Sequence, residues 1–584
     1  GNVGLSKIVV IVISLVAIIP SARDMIKTIL SGQVGIDVIA LVAIGASLLL
    51  GQFVAAGVIV IMLTGGEALE EFAKNRAKRE LSSLLKRKPT IAHRIVGGDV
   101  EEIAVAKVQV GDSLLVKPGD TIPVDGKVYK GSTSVDESAI TGESLPVDMK
   151  LGSTVLSGSV NLDGVIEIHA THISRESQYE QIIKLVSEAS TKKSPLVRLA
   201  DAYSLPFTIV AFGLAGLAWV ISGNPVRALA VLVVATPCPL LIATPVAIVS
   251  GMSRAASRGV IIKSGGVLEQ LSRLKAVAFD KTGTLTQGKP HVDAIDPCKI
   301  SKNELLTIAA SVEKYSTHAL AQVVVDEAKR QKLSLKKVSG NKEYPGKGIA
   351  AKLGESSVLV GSFAFLKEQG TDLKTPVCID HGARDQTALY VAKDKRYLGS
   401  ISFVDPLRPE SKNTIASLKK MGVGKFIMLT GDRRQVGERI AAEVGITDVH
   451  SEVLPADKVN ILTEEKQKTS PVAMVGDGIN DAPVLAASDV GVALGAKGST
   501  AASEAADAVI MQDDLGRLAE LVAISKRSVM IAKQSIFTGI GLSSVLMVFA
   551  VFGFIVPVLG AFLQEAIDVV VILNALRARF RPKL

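Results

Sequence analysis

Long apolar stretches alternate with charged, turn-rich ones along the chain. Residues 8–19 form a first apolar run between Lys7 and Pro20, short for the ~20 residues that span a bilayer unless residues 1–7 contribute. Residues 21–31 set Arg23, Asp24 and Lys27 among Met25, Ile26, Ile29 and Leu30, the pattern of a helix lying in the membrane interface. Residues 36–66 are almost wholly apolar. As one helix they would be about 46 Å long, well beyond a ~30 Å hydrocarbon core. The pattern therefore predicts two spans turning at Gly51-Gln52, the second continuing as a charged helix over 67–88. Further spans are predicted over 205–221 and, after a turn at 222–225, over 228–251, where Pro237 and Pro239 interrupt the helix. The last two are 534–555 and 558–576, with Pro557 at their turn.

Between these runs the period changes. Residues 90–180 alternate Val, Ile and Thr with Gly97-Gly98-Asp99, Gly111-Asp112, Pro118-Gly119-Asp120 and Asp125-Gly126, which reads as a small all-β domain. Residues 260–525 alternate β-rich apolar runs with helical patterns, an α/β block in which 295–396 looks inserted. With both soluble blocks and the C-terminus inside, the short loops between spans fall outside and carry almost no charge. Seven spans then put Gly1 outside, or an earlier span precedes this chain; the second reading is favoured.

Composition supports this division. Mean hydropathy is +0.37, yet 21% of the residues are charged. The formal charge of +9 would suit nucleic acid, but the basic residues crowd beside apolar runs: Lys74, Arg76, Lys78 and Arg79, then Arg577, Arg579, Arg581 and Lys583. That is the positive-inside pattern of a membrane protein, and no nucleic-acid partner is expected. Three cysteines exclude a disulfide scaffold, and Cys298 and Cys378 are expected to be reduced.

The candidate chemistry lies at predicted strand ends. Residues 280–286 read Asp-Lys-Thr-Gly-Thr-Leu-Thr directly after the apolar run 276–279. A carboxylate at a strand tip before a Thr/Gly turn suits phosphoryl transfer: Asp280 can attack, backbone amides can cradle phosphate, and a carbonyl can hold Mg²⁺. Thr430-Gly431-Asp432 follows the run 426–429, Lys458 lies in Leu-Pro-Ala-Asp-Lys, and Gly-Asp-Gly-Ile-Asn-Asp-Ala-Pro occupies 476–483. Open α/β sheets bind ligands at such strand ends.

This set resembles the P-type ATPases. The resemblance covers the chain from about residue 33 onward. It implies that Asp280 is phosphorylated, that Thr282 and Asp477 complete the Mg²⁺ site with it, and that Thr430 and Lys458 contact the phosphoryl group. Asn480 and Asp481 would support that cluster. Thr141-Gly142-Glu143-Ser144 matches the actuator loop, so Glu143 would position the hydrolytic water. In the insertion, Glu313 and His318 in Glu-x-x-Ser-x-His, with Gly346-Lys347-Gly348, match the nucleotide site. The family's His-Pro is His318-Ala319 here, which leaves the pose of His318 open.

Two spans before the β-domain, two after it and two after the catalytic block resemble the heavy-metal (type IB) subfamily, whose first N-terminal helix would precede this chain. The implied fold is a multidomain α-helical membrane protein. It carries a cytosolic all-β actuator domain and an α/β, HAD-like (Rossmannoid) phosphorylation domain with an inserted α+β nucleotide-binding domain. Expected boundaries are 1–82 (a kinked helix and two spans), 83–195 (actuator), 196–260 (two spans), 261–294 with 397–525 (phosphorylation), 295–396 (nucleotide) and 526–584 (two spans).

Thr236-Pro237-Cys238-Pro239 interrupts a span, and non-helical backbone at that depth is tolerated where it lines a cavity. Gln564, Glu565 and Asp568 fall on one helical face. Carboxylates inside a membrane are functional by default. The expected ion ligands are Cys238, Gln564, Glu565 and Asp568. Cu(I) prefers several sulfurs, and the copper pumps' Cys-Pro-Cys, common also in zinc and cadmium pumps, is absent. So are the Ser-Pro-Cys and the His-Glu pair of cobalt-type relatives. Thr-Pro-Cys-Pro with Gln-Glu-x-x-Asp resembles a branch associated with Ni²⁺, Co²⁺ or Fe²⁺, which ranks these ions above Zn²⁺ and Cd²⁺. Glu67 and Glu70 are equally readable as a cation-collecting mouth or a solvated helix turn.

The expectation is an ATP- and Mg²⁺-dependent exporter of a divalent transition metal, monomeric in a prokaryotic plasma membrane, its soluble domains in the cytosol. The rivals are a pump for a hard cation (Ca²⁺, Mg²⁺ or K⁺), which Cys238 disfavours, a membrane metal sensor without turnover, and a soluble phosphatase.

Overall fold

The computed structural model describes residues 12, 19, 37–77, 89–137, 145–177, 179–180, 183–184, 195–235, 238–316, 318–344, 347–372, 387–477, 481–495 and 500–580. It comprises two compact units: Gly1–Lys275 with Lys466–Ala473 and Leu485–Leu584, and Ala276–Glu465 with Met474–Val484.

The first unit contains the apolar helices. Asp37–Leu49 and Phe53–Ala77 form a hairpin whose turn places Gly51 at φ +70°, a left-handed conformation that only glycine adopts without strain. This is the turn expected from the length of the apolar run. Pro195–Ser222 follows, then Pro225–Val234, which Asn224 caps by accepting from the Val226 amide at 2.9 Å. The next helix, Cys238–Ala256, starts at the cysteine itself; Thr236 and Pro237 lie outside the described residues. Pro239 sits in its first turn, where a missing N–H costs nothing, and the predicted span over 228–251 is divided between Pro225–Val234 and Cys238–Ala256, the interruption expected from the sequence.

The last two spans also differ from expectation in one respect. The stretch 534–555 is the end of a single helix, Gly516–Val551, because nothing between its polar first half and its apolar second half stops a helix. Pro557 begins the final helix, Pro557–Leu576, instead of sitting between two spans. Gly516–Val551 and Pro557–Arg579 are long and apolar enough to cross a membrane, and Val38–Leu49, Phe53–Met62, Pro206–Ser222 and Pro225–Val234 are shorter apolar helices. Ile44, Ile59, Leu229, Val233 and Met547 pack in one buried cluster of this bundle, and Ala243, Ala247, Ile531, Ile567 and Val571 in a second. Gly251 lies directly against Ser528, where a Cβ would collide, so small residues let these helices approach closely.

The all-β region in this unit is a six-stranded antiparallel sheet. Its order is Asp99–Ala104, Ile91–Val96, Ser113–Val116, Ile166–Ala170, Gly126–Lys130, Thr154–Val155, beside a three-stranded sheet of Val147–Met149, Thr133–Asp136 and Val160–Asn161. Strand Ile166–Ala170 buries Ile166, Ile168 and Ala170 alternately, the period-2 signature read from sequence.

In the second unit Ala276–Asp280 pairs in parallel with Lys425–Leu429, which pairs in parallel with Asp448–His450. The insertion is an antiparallel sheet ordered His291–Pro297, Arg396–Val404, Thr387–Lys393, Ser356–Gly361, Gly348–Leu353, Ser339–Tyr344. Helices Lys302–Glu313 and Ala319–Arg330 share its core through Leu305, Val324, Ile349, Val360 and Ile401. Cys298 is disulfide-bonded, contrary to the reduced thiol expected.

Candidate active site and ion site

Strand Ala276–Asp280 is buried along its whole length and delivers Asp280 at its C-terminal tip. The register pairs Asp280 with Leu429, so Thr430 emerges at the same tip of the neighbouring strand. Lys458, in helix Pro455–Lys468, donates to Asp280 Oδ1 at 2.5 Å and to Asp481 Oδ1 at 2.9 Å. All three side chains are buried. Burial raises the Asp280 carboxyl to about 6; the Asp481 charge adds to this and Lys458 opposes it. Burial acts to lower Lys458, but Asp280 and Asp481 outweigh it and hold the ammonium charged.

The turn after Asp280 is fixed from both sides. Gly283 has φ +72°, and a Cβ there would run into the Asp477 carboxylate, so glycine lets Asp477 approach the loop. Arg408 Nη2 donates to Gly283 O at 2.7 Å and its Nε to Thr286 O at 3.1 Å, while Asp405 accepts from Thr286 Oγ1 at 2.6 Å and the Lys289 amide at 3.1 Å. Lys281 is ion-paired with Asp432, whose amide donates to Thr430 Oγ1 at 3.1 Å. The sequence reading passed over Asp405 and Arg408, and it quoted Lys281 and Asp432 within motifs without giving either a role. The signal for the first two was Asp-Pro-Leu-Arg-Pro immediately after a strand. Thr282 is exposed at the mouth of the loop. Asn480 and Glu143 lie outside the described residues.

Two buried carboxylates share one ammonium, and the half-buried Asp477 acts on Asp280 as a further negative charge, an excess that a divalent cation fits. Asp280, Asp477 and the Thr282 carbonyl are the groups that would hold Mg²⁺. Among the described residues no three His, Cys, Asp or Glu side chains converge as a ligand set, and this site asks only two carboxylates of the protein.

In the insertion a cavity of about 310 Å³ is lined by Glu313, His318, Tyr344, Lys347 and Gly348, with Asp432 and Arg433 also on its wall. His318 caps helix Ala319–Arg330, its Nδ1 accepting from the Leu320 amide at 3.2 Å. The residue before a helix needs an acceptor, and His318 supplies it, so Ala319 in place of proline leaves a defined pose. Gly348 sits where a Cβ would meet Gly361 Cα at 2.6 Å. Gly346 lies outside the described residues.

Burial pushes the Glu313 carboxyl up to about 7; a hydrogen bond from Ser316 opposes this and the Glu343 charge reinforces it. A folded-state value above the ordinary 4.5 means that the fold favours the protonated acid. Stability from this group is complete below pH 4.5 and is lost as pH rises to 7, by about 3 kcal/mol. Hydrogen-exchange protection of helix Lys302–Glu313 should therefore fall from pH 5 to pH 8 in the parent and stay level in Glu313→Gln. Equal slopes in the two proteins would refute this.

In the last helix, Gln564 and Asp568 are buried on one face and Glu565 is half-buried beside them. Gln564 Nε2 donates to Asp568 Oδ1 at 3.2 Å, and Ser543 Oγ donates to Gln564 Oε1 at 3.2 Å. Glu565 Oε2 is buried with no hydrogen-bond partner among the described residues, as is Thr244 Oγ1 in helix Cys238–Ala256. Buried oxygens left unsatisfied suit a cation. The side chains of Cys238, Glu67 and Glu70 lie outside the described set.

The chain is similar to known proteins along most of its length. Residues 86–187 match the P-type ATPase actuator domain, and residues 274–489 match the haloacid dehalogenase-like hydrolases. The probable cadmium-transporting ATPase of Staphylococcus aureus (strain MRSA252) is 34% identical over 561 residues, covering 92% of this chain and 76% of the relative. The chain belongs to the heavy-metal P-type ATPases. The cadmium, zinc and cobalt-transporting ATPase of Bacillus subtilis (strain 168) is 35% identical, covering 94% of this chain and 80% of the relative. A crystal structure of a zinc-transporting PIB-type ATPase in the E2.Pi state superposes with a TM-score of 0.66 at 34% identity, covering 99% of this chain and 96% of that one. As a heavy-metal P-type ATPase, the protein is a membrane ATP hydrolase with a phosphorylation domain of the HAD-like class.

Proposed function

We propose that this ATPase exports a divalent transition-metal ion from the cytosol across a prokaryotic plasma membrane, working as a monomer. The observation that carries the catalytic half is the buried Asp280–Lys458–Asp481 cluster at the strand tip. In this reading ATP sits against Glu313 and His318. A carboxylate oxygen of Asp280 attacks the γ-phosphorus, the Asp280 O–P bond forms, the bond to the bridging oxygen breaks, and ADP leaves. Bound Mg²⁺ would supply charge neutralisation between the phosphoryl oxygens and the carboxylates. Lys458 and Thr430 stabilise charge on the transferred group, and Arg408 and Asp405 keep the loop rigid so that it need not reorganise. Glu143 then orients water for hydrolysis of the aspartyl-phosphate.

The cargo is bound by Cys238, Glu565 and Asp568. One thiolate with two carboxylates is a borderline site, favouring Ni²⁺, Co²⁺ and Fe²⁺ over Cu(I) and over hard cations. Co²⁺ is the ion on which this donor set and the cadmium, zinc and cobalt-transporting relative of Bacillus subtilis converge. The test is ATP hydrolysis in detergent against Ni²⁺, Co²⁺, Fe²⁺, Zn²⁺, Cd²⁺, Mn²⁺, Cu(I), Ca²⁺ and K⁺. Stimulation by one or two divalent transition metals, lost in Cys238→Ala, is the expected result. Stimulation by Ca²⁺ or K⁺ alone would overturn the cargo assignment and leave the phosphoryl chemistry standing.

A further inference from the structure

Side-chain hydrogen bonds join helix Gly516–Val551 to helix Pro557–Leu576 at two depths. Near the basic C-terminal end, Asn574 Nδ2 donates to Ser535 Oγ at 2.8 Å. Further in, Ser543 Oγ donates to Gln564 Oε1 and Gln564 Nε2 donates to Asp568 Oδ1, both at 3.2 Å. Ser543, Gln564 and Asp568 are 2%, 0% and 3% exposed.

The direction of this relay bears on what Gln564 does. A carboxamide ligates a cation through its oxygen; its NH₂ is a donor and cannot. Here the oxygen faces Ser543 on the neighbouring helix and the NH₂ faces the Asp568 carboxylate. With Asp568 ionised, as cation binding requires, the reversed amide would set its oxygen against a carboxylate oxygen, two acceptors with no proton between them. Gln564, expected from its spacing to be a metal ligand, is in this arrangement also placed to hold one, through its NH₂ on Asp568.

We infer that Ser543 is a positioning residue of the ion site: it orients the Gln564 amide, which fixes one oxygen of Asp568 so that the other is presented to a divalent cation. The inference rests on the reading of Asp568 as a ligand of the transported ion. A carboxylate held in one rotamer before the ion arrives loses less freedom on binding it. Outer partners of metal ligands act in this way on affinity more than on turnover.

The test uses the full chain in detergent with Zn²⁺ and Co²⁺ as probes and reads the metal dependence of ATP hydrolysis. Ser543→Ala is expected to raise the half-saturating metal concentration about three- to ten-fold with kcat nearly unchanged. Ser543→Thr, which keeps the hydroxyl, should restore the parental value. In a Gln564→Ala background, Ser543→Ala should have no further effect. Ser535→Ala removes an interhelical bond between the same two helices and should leave metal dependence unchanged, separating the relay from bundle packing. Full additivity of Ser543→Ala with Gln564→Ala, or equal shifts in Ser535→Ala and Ser543→Ala, would overturn the relay. Asp568→Asn tests the reading beneath it: loss of metal stimulation is expected, and parental metal dependence would remove the ion site itself, whatever Ser543 does.

Discussion

Asp280→Asn is expected to lower ATP hydrolysis by at least about a thousand-fold and to eliminate the acid-stable phosphoprotein formed from labelled ATP. An amide has the shape of the carboxylate but is neutral and a far weaker nucleophile, so attack on the γ-phosphorus stops while the loop geometry persists. The same substitution should leave the protein as stable as the parent or more so. Asp280 is buried beside Asp481, and both burial and that neighbouring charge disfavour its ionised form. Replacing it with a neutral isostere removes the repulsion while Lys458 keeps its 2.9 Å bond to Asp481. Activity and stability should therefore move apart, which distinguishes a lost nucleophile from a damaged fold. A melting midpoint well below the parent's, or a surviving phosphoprotein, would refute this account.

The sequence carried the pieces of this site but not their contacts. Asp280 was legible because an apolar run followed by Thr and Gly is a local pattern that marks a strand tip. The hairpin turn at Gly51 was legible because a wholly apolar run far longer than the bilayer core is thick has to turn within it. Lys458 lies 178 residues from Asp280, and no local periodicity says that its ammonium bridges two carboxylates. Arg408 and Asp405 escaped for a related reason. They act through the backbone carbonyls and hydroxyl of the phosphorylation loop, and a residue that bonds to backbone leaves no side-chain partner to pair with by eye. Ser543 is one small residue in an apolar run, and nothing in the sequence places its hydroxyl opposite Gln564, 21 residues away. Helix boundaries shifted where apolarity and helicity part company: hydropathy located the span at 534–555, but the backbone hydrogen bonding of Gly516–Val551 runs well past it into polar sequence.

Lys458→Met carries the other large effect, and it differs from Asp280→Asn in kind. Removing the ammonium leaves Asp280 and Asp481 buried together without a cation. Breaking a buried ion pair from one side costs about 3–5 kcal/mol, because the surviving charge is no longer compensated. The cluster can lessen this by protonating, and Asp280, already raised to about 6, is the group that moves further up. Two consequences follow with definite signs. Stability of the variant should be retained at acid pH and lost as pH rises through the elevated Asp280 value, since the protonated acid is the form the fold tolerates. Phosphoprotein formation should fall at least about a hundred-fold at neutral pH, from a protonated nucleophile and a missing positive charge on the transferred group. The double variant Asp280→Asn/Lys458→Met should recover much of the stability lost by Lys458→Met alone, because only one buried carboxylate then remains. Thermal melting of the four proteins from pH 5 to pH 8 measures this coupling directly. Additive losses in the double variant would mean that Lys458 is held by something other than Asp280, and the buried pair would lose its place at the centre of the site.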